Sequence, residues 1–375
     1  MQIKRLFLFI LQYAAYGLAI AFLFLLLTSN HFLSNLSLLH QNKSNHYSFN
    51  DAVASTASAV VNVYASKVYQ ERVHPLFQDP LFRHFFGDAA TVPRQRRDNS
   101  IGSGVIMNTA GYILTNAHVI NNANDIRITL NDGRQAQAQL IGLDADTDLA
   151  VINIQLADLP EIPIGNSSKL RVGDIVLAIG NPYNFGQTVT QGIVSATSRK
   201  RRGISYFDDF IQTDADINLG NSGGALITAT GELVGINTAI ISSSGGSEGI
   251  GLATPINQAL DVMRQIIKDG KVVRGWLGIE AQTLGTDVIK MANLETGGVL
   301  VTAIMRNSPA ENAGILPGDI MISIDGKNVS SPDQAIETIM ALKPGSDVKI
   351  KILRGWERQE LITNIAQRPS AKIPE

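Results

Sequence analysis

The chain has 375 residues, enough for two domains and a large core, with 45% apolar and 17% charged residues. A formal net charge of −2 gives no reason to expect a nucleic acid or a strongly acidic partner, and the absence of cysteine excludes a thiol nucleophile, disulfides and thiolate metal sites. Thirty-three glycines point to many tight turns, as in an all-β protein.

Lys4 and Arg5 precede an apolar run from Leu6 to Leu27. A helix of that length spans a bilayer core of about 30 Å. Signal peptides have a shorter apolar region, about 7–15 residues, closed by a small-x-small cleavage site. Thr28-Ser29-Asn30-His31-Phe32 offers no such site. Residues 1–30 are therefore expected to be a cytoplasmic stub and uncleaved transmembrane anchor, with the positive flank inside and the rest of the chain outside. A cleaved signal is the alternative. Residues 31–50 are polar, rich in Asn, Ser and His, and read as a tether.

Asp51 to Val73 suggests a helical turn and a strand. Residues 74–100 read as a long loop carrying Leu76-Phe77, Leu81-Phe82-Arg83-His84-Phe85-Phe86 and the basic Pro93-Arg94-Gln95-Arg96-Arg97. Those aromatics are expected either at a subunit contact or packed locally on the same domain. From Ile101 short strands alternate with turn signals. Gly102–Met107 and Ile113-Leu114 make a hairpin, Ile126–Leu130 is a period-2 strand, and Asn131-Asp132-Gly133 is a hairpin turn. Further strands are expected at 137–141, 149–154, 175–179 and 189–196. Pro255 to Gly270 reads as a helix with Ile256, Leu260, Met263 and Ile267 on one face.

Three separated residues carry candidate chemistry. Of six histidines only His118 lies beyond residue 84, in a strand followed by a helical turn. Asp148 stands where the polar loop Asp144-Ala145-Asp146-Thr147 enters an apolar strand. A carboxylate there suits the imidazole Nδ1–H, with Asp144 and Asp146 as competitors further out. Ser222 has glycine on both sides in Gly220-Asn221-Ser222-Gly223-Gly224. Glycine allows the turn that projects a nucleophile and aims the Gly220 and Ser222 N–H groups at a developing oxyanion. Taken alone, that motif is equally a plain Gly-rich turn. The order His, Asp, Ser matches the chymotrypsin type of triad.

Thr115-Asn116-Ala117-His118-Val119, Thr147-Asp148-Leu149-Ala150-Val151 and Gly220-Asn221-Ser222-Gly223-Gly224-Ala225-Leu226 together resemble the catalytic motifs of the HtrA/Deg family of serine proteases. The resemblance runs from about residue 51 to about 368. It implies an all-β-dominated chain: a chymotrypsin-like protease domain of two six-stranded β-barrels at 51–268, then a second domain at 269–368 and a tail at 369–375. It implies His118 as base, Asp148 as its orienting acid, Ser222 as nucleophile, and Gly220, Asn221 and Ser222 around the oxyanion hole. Ile217, Gly235, Ile236 and Asn237 are expected to line the S1 pocket; with no acidic residue among them, it should take small apolar side chains. Arg199, in the basic run to Arg202, falls where the family's regulatory arginine lies. The second domain, with Trp276-Leu277-Gly278-Ile279 and Asp333 to Leu342, resembles a PDZ domain. Its Trp276–Ile279 loop would capture a terminal carboxylate and its strand edge an extended peptide.

One anchor and one PDZ domain resemble the DegS branch. That branch implies a homotrimer held at the bacterial inner membrane through residues 6–27, with its catalytic and PDZ domains in the periplasm. It is activated by C-termini of misassembled outer-membrane proteins and cuts a transmembrane anti-sigma factor. It implies no cofactor or metal and no nucleic-acid partner. A general quality-control protease, which the long aromatic loop resembles more, and a peptide-binding chaperone with an idle triad are the alternatives.

Overall fold

Two units make up the chain, Met1–Phe49 and Asn50–Glu375. The computed structural model describes residues 8–25, 48–70, 95–181, 186–199, 210–218, 220–240, 249–294 and 296–369. In the first unit, helix α1 (Leu8–Leu25) is long and apolar enough to cross a membrane by length and composition, as either an anchor or a signal sequence would be.

The second unit opens with α2 (Asn50–Thr56), β1 (Val60–Gln70), β2 (Gln95–Ile106) and β3 (Tyr112–Asn116). The short α3 (Ala117–Ile120), β4 (Asp125–Thr129), β5 (Gln135–Gln137), β6 (Gln139–Asp144) and β7 (Leu149–Asn153) complete the first layer. Its strands form one antiparallel sheet in the order β5-β4-β1-β2-β3-β7-β6. Leu149, Ala150, Val151 and Ile152 are all fully buried, so β7 is apolar on both faces. Next come β8 (Ile175–Gly180), β9 (Thr188–Arg199), β10 (Phe210–Thr213), β11 (Ala225–Thr228), β12 (Leu233–Ile240) and β13 (Gly251–Pro255). They close into a barrel, β10-β13-β12-β11-β8-β9, around Val176, Ala178, Val194, Ile211, Leu226 and Val234. The expected double barrel thus takes the form of a seven-stranded sheet and a closed six-stranded barrel. The seventh strand arises because the run expected at 137–141 breaks at Ala138, whose amide bonds to Ile126 O.

Helix α4 (Ile256–Asp269) buries Ile256, Ala259, Val262, Met263 and Ile266. The sequence-based face is therefore rotated: Leu260 is half-buried and Ile267 is exposed. Adjacent aliphatic pairs at 262–263 and 266–267 leave two stripes open to the period, and packing selects the more N-terminal residue at the last pair. β14 (Gly275–Trp276), β15 (Ile279–Thr283), α5 (Thr286–Met291), β16 (Val299–Ile304), α6 (Pro309–Asn312) and β17 (Ile320–Ile324) follow. β18 (Lys327–Asn328), α7 (Pro332–Met340), β19 (Asp347–Arg354), β20 (Glu357–Asn364) and β21 (Ala366–Gln367) end the described elements. The main path of the second sheet runs β15-β16-β17-β19-β20, while β14 pairs with β21. Leu277, Val299, Val301, Ile324, Ile339 and Ile352 are among the side chains of its core.

Two more expectations change. Residues 95–100, read as loop, are strand: β2 pairs with β1 from Gln95↔Gln70 through Ser100↔Ala65. β9 runs past Ala196 to Arg199, which pairs with Phe210. The aromatic clusters of 76–86 and the basic run beyond Arg199 lie outside the described residues, as does the Arg199 side chain.

Candidate active site

β3 and β7 are hydrogen-bonded neighbours, with Asn116 opposite Leu149. This register sets the residue after β3 beside the residue before β7. α3 turns immediately after Asn116, anchored by buried Val119 and Ile120, and leaves the His118 side chain 43% exposed. Asp148 takes a left-handed backbone conformation, φ 51°. Its carbonyl accepts from Ala117 N at 3.0 Å, and its Oδ1 accepts from His118 N at 2.9 Å. The same carboxylate meets His118 Nδ1 through Oδ2 at 2.5 Å. An ionised carboxylate only accepts, so Nδ1 carries the proton, and Nε2 of the neutral ring is left as a base.

The Ser222 turn is built on β2 and β3. Ser103 N donates to Ser222 O at 2.8 Å, and Ser103 Oγ, which accepts from Asn181 N at 2.9 Å, donates to Gly220 O at 2.6 Å. Gly223 (φ 82°) comes so close that a Cβ there would sit 2.1 Å from Ser103 O and 2.5 Å from Thr115 Oγ1. Gly102 packs between Val119 and the Ser222 carbonyl: a Cβ on it would lie 2.7 Å from Val119 Cγ2 and 3.1 Å from Ser222 O. These contacts bring the serine turn against the turn that carries His118. Within the loop, Asn221 N donates to Asn218 O, Gly223 N to Asn237 O and Gly224 N to Asn221 O. The amides of Gly220 and Ser222 make no hydrogen bond among the described residues, and neither does Ser222 Oγ. Asn221 sits between them, its backbone N–H used within the turn on Asn218 O. Gly223→Ala is expected to cost at least about 1–3 kcal/mol for its backbone conformation alone, with the clash on Ser103 O in addition. A denaturation curve together with kcat reads both losses.

Among the residues expected at S1, Ile217 and Ile236 are buried, at 1% and 0% exposure. Ile217 packs in the second barrel's core, Gly235 pairs with Leu226, and Asn237 O holds Gly223. In the second domain β15 is the end strand of its sheet, and its first residue, Ile279, follows Gly278 (φ 80°). Leu277 is buried and its carbonyl accepts from Ala310 N, while Trp276 pairs with Ala366.

The competitor acids face elsewhere. Asp144 receives both Nη1 and Nη2 of Arg274 at 2.7 Å, plus Thr147 Oγ1 at 2.5 Å. Asp146 lies 3.3 Å from Arg368 Nε and 3.5 Å from Arg274 Nη1. Burial pushes the Asp146 carboxyl above the ordinary range, against the pull of Arg368 and Arg274. The five-residue stretch from Asp144 to Asp148 thus joins β14's approach segment at one end and His118 at the other. Sequence reasoning missed four contributors: Ser103, Thr238, Asn116 and Arg274. Thr238 Oγ1 donates to Asp148 Oδ2 at 3.2 Å. Its position beside Asn237 was the available signal, but strand alternation places it on the opposite face. A bulge between Asn237 and Ala239 re-aims it.

Comparison with known proteins agrees with this architecture. A trypsin-like peptidase domain matches residues 102–236, and a PDZ domain matches 275–365. The chain is 41% identical over 325 residues to a probable periplasmic serine endoprotease, DegP-like, of Chlamydia trachomatis serovar D, covering 86% of this chain and 64% of that protein. It is 45% identical over 283 residues to the periplasmic pH-dependent serine endoprotease DegQ of Escherichia coli K12, covering 75% and 62%. The chain therefore spans less than two thirds of these curated relatives. A solved structure of the HtrA-type protease AlgW with a decapeptide aligns at TM-score 0.74 and 47% identity, over 86% of this chain and 100% of that one. With one trypsin-like peptidase domain, one PDZ domain and the dyad and serine turn described above, the chain belongs to the HtrA family of serine proteases.

Proposed function

We propose that the protein is a periplasmic serine endoprotease of the regulated, DegS-like type, with His118, Asp148 and Ser222 as its triad. The observation that carries the reading is the serine turn beside the His118–Asp148 pair, with the Gly220 and Ser222 amides left without partners. Ser222 Oγ attacks the scissile carbonyl carbon while His118 Nε2 takes its proton. The carbonyl π pair moves onto oxygen, and the Gly220 and Ser222 N–H groups receive the resulting oxyanion. Collapse of the intermediate breaks the C–N bond, and the imidazolium returns the proton to the leaving amine. Water then repeats the cycle on the acyl-enzyme. The missing hydrogen bond at Ser222 Oγ fits this chemistry, because such bonds often tighten only with substrate in place.

Regulation would come through the PDZ domain. β15 offers an open edge beside α7, the arrangement that accepts an extended peptide as an added strand, and the Trp276–Ile279 loop would take its terminal carboxylate. C-terminal peptides of misassembled outer-membrane proteins are the proposed activators, and a transmembrane anti-sigma factor is the proposed substrate. A homotrimer and a membrane anchor at residues 6–27 belong to the same reading. The AlgW structure, solved with a decapeptide and aligned over its whole length, supports it. The names of the curated relatives, DegP-like and DegQ, favour general protein quality control instead. Full-chain protein in detergent, given an unfolded substrate with and without a peptide bearing a free C-terminal carboxylate, separates the two. The regulated enzyme is expected to cleave little until the peptide is added, and to lose the response when the peptide is amidated. Cleavage that ignores the peptide favours quality control. Absence of cleavage under all conditions leaves a peptide-binding chaperone.

A further inference from the structure

We propose that Asn116 is a positioning residue for the triad: its side-chain amide sets the direction of the Thr238 hydroxyl proton and thereby supplies the Asp148 carboxylate with its third donor. This rests on the triad reading above. Asn116 is fully buried at the end of β3, two residues before His118. Its Nδ2 lies 2.9 Å from Asp148 O and 2.7 Å from Thr238 Oγ1. A backbone carbonyl can only accept, so the atom facing it is the nitrogen and not the amide oxygen. One Nδ2 hydrogen is used on Asp148 O and the other on Thr238 Oγ1. The threonine hydroxyl therefore accepts from Asn116, and its single proton is left for Asp148 Oδ2, 3.2 Å away.

The carboxylate then has three donors. His118 N bonds Oδ1, while His118 Nδ1 and Thr238 Oγ1 share Oδ2. Each donor takes up part of the carboxylate's negative charge, and the three together fix the face it turns to His118. Asn116 also ties down the carbonyl of Asp148 at its left-handed backbone position, φ 51°. The remaining Asn116 atom, Oδ1, is buried with no hydrogen-bond partner among the described residues. An orphaned buried oxygen is a cost that leucine of similar volume would avoid. The asparagine is thus accounted for by its two donors and not by the space it fills.

The test compares Asn116→Leu, Asn116→Asp, Thr238→Val, the Asn116→Leu/Thr238→Val double variant and Ser222→Ala in full-chain protein. It records kcat, KM and the pH profile of kcat/KM on a peptide substrate. Asn116→Leu is expected to lower kcat about 10–100-fold, as for loss of one hydrogen bond to a charged group, with KM unchanged. The acidic limb of its profile should move to higher pH, because the less-supported carboxylate holds the imidazolium more tightly. Thr238→Val should do the same, and the double variant should be no worse than the poorer single one, since both remove the same donor. Asn116→Asp is isosteric but offers Thr238 an acceptor, which turns the hydroxyl proton away from Asp148. It should shift the acidic limb further than Asn116→Leu. Losses that multiply in the double variant, or an unchanged acidic limb in Asn116→Leu, overturn the proposal. If Asn116→Leu does not fold, Asn116→Asp decides: a wild-type kcat and profile overturns it. Ser222→Ala separates the two levels. Its inactivity upholds the triad, so that an unaffected Asn116 variant refutes the positioning role alone. Full activity in Ser222→Ala removes the triad and the proposal together.

Discussion

Replacing Asp148 with asparagine is expected to lower kcat by about 10⁴-fold while the protein still folds, a magnitude known for triad aspartates. The local hydrogen bonds explain why so small a change costs so much. His118 N donates to Oδ1, so the amide oxygen of an asparagine is drawn to that position. Its NH₂ then faces His118 Nδ1, which sits 2.5 Å from Oδ2 in the native pair. Two donors cannot share that contact. The imidazole must present Nδ1 as an acceptor, and its proton moves to Nε2, where it blocks uptake of the Ser222 proton. Ser222→Ala removes the proposed nucleophile and is expected to lose about 10⁶-fold in kcat, with residual turnover from the proposed oxyanion donors. A titration of Asp148→Asn activity from pH 6 to pH 9 provides the check: activity recovered near the wild-type level would show that the carboxylate does not set the tautomer.

The second large effect concerns stability. Arg274→Ala is expected to destabilise the protein by about 3–5 kcal/mol, the cost of breaking a buried ion pair by removing one member. Arg274 and Asp144 side chains are 11% and 7% exposed, and two parallel bonds of 2.7 Å join them. Lysine cannot reproduce that fork, so Arg274→Lys should recover only part of the loss. Asp146 behaves in the opposite way. Burial raises its carboxyl above the ordinary range, so the folded protein holds this proton more tightly than the unfolded chain does. Its favourable contribution is complete below the unfolded carboxylate's range and is lost as pH rises through the folded value. Asp146→Asn should therefore match wild type at low pH and be equally or more stable near neutrality. Urea denaturation of the three variants at pH 4 and pH 7 distinguishes these outcomes. A large loss for Asp146→Asn at pH 7 would show that its attraction to Arg274 and Arg368 outweighs burial.

The parts of the site most open to sequence reading were those set by local chemistry. His118, Asp148 and Ser222 each sit at a strand end beside a polar or glycine-bearing turn, and a nucleophile, base and acid must leave the sheet at such points. Their supports were less legible because they depend on pairing across the fold. Thr238 reaches Asp148 only through a bulge in β12, which breaks the alternation that sequence patterns rely on. Ser103 holds Gly220 across 117 residues of chain, a separation no short motif reports. In β2, Gln95-Arg96-Arg97-Asp98 looks like solvated loop by composition, yet it continues the ladder with β1. The helix face of α4 slipped because neighbouring aliphatic residues satisfy two stripes equally. Arg274 stood in an unremarkable basic stretch, and its meaning comes from the acidic partner it finds 130 residues earlier.

That arginine bears on how freely such chains can exchange their parts. A PDZ domain transplanted with Arg274 onto a protease lacking an acid at the position of Asp144 would bury a guanidinium without the carboxylate that takes both of its Nη atoms. A foreign PDZ domain without the arginine, joined to this protease, would strand Asp144 in the same way. Working chimaeras are thus expected to keep both halves of the pair, so a junction between the domains is better cut behind Arg274 than ahead of it.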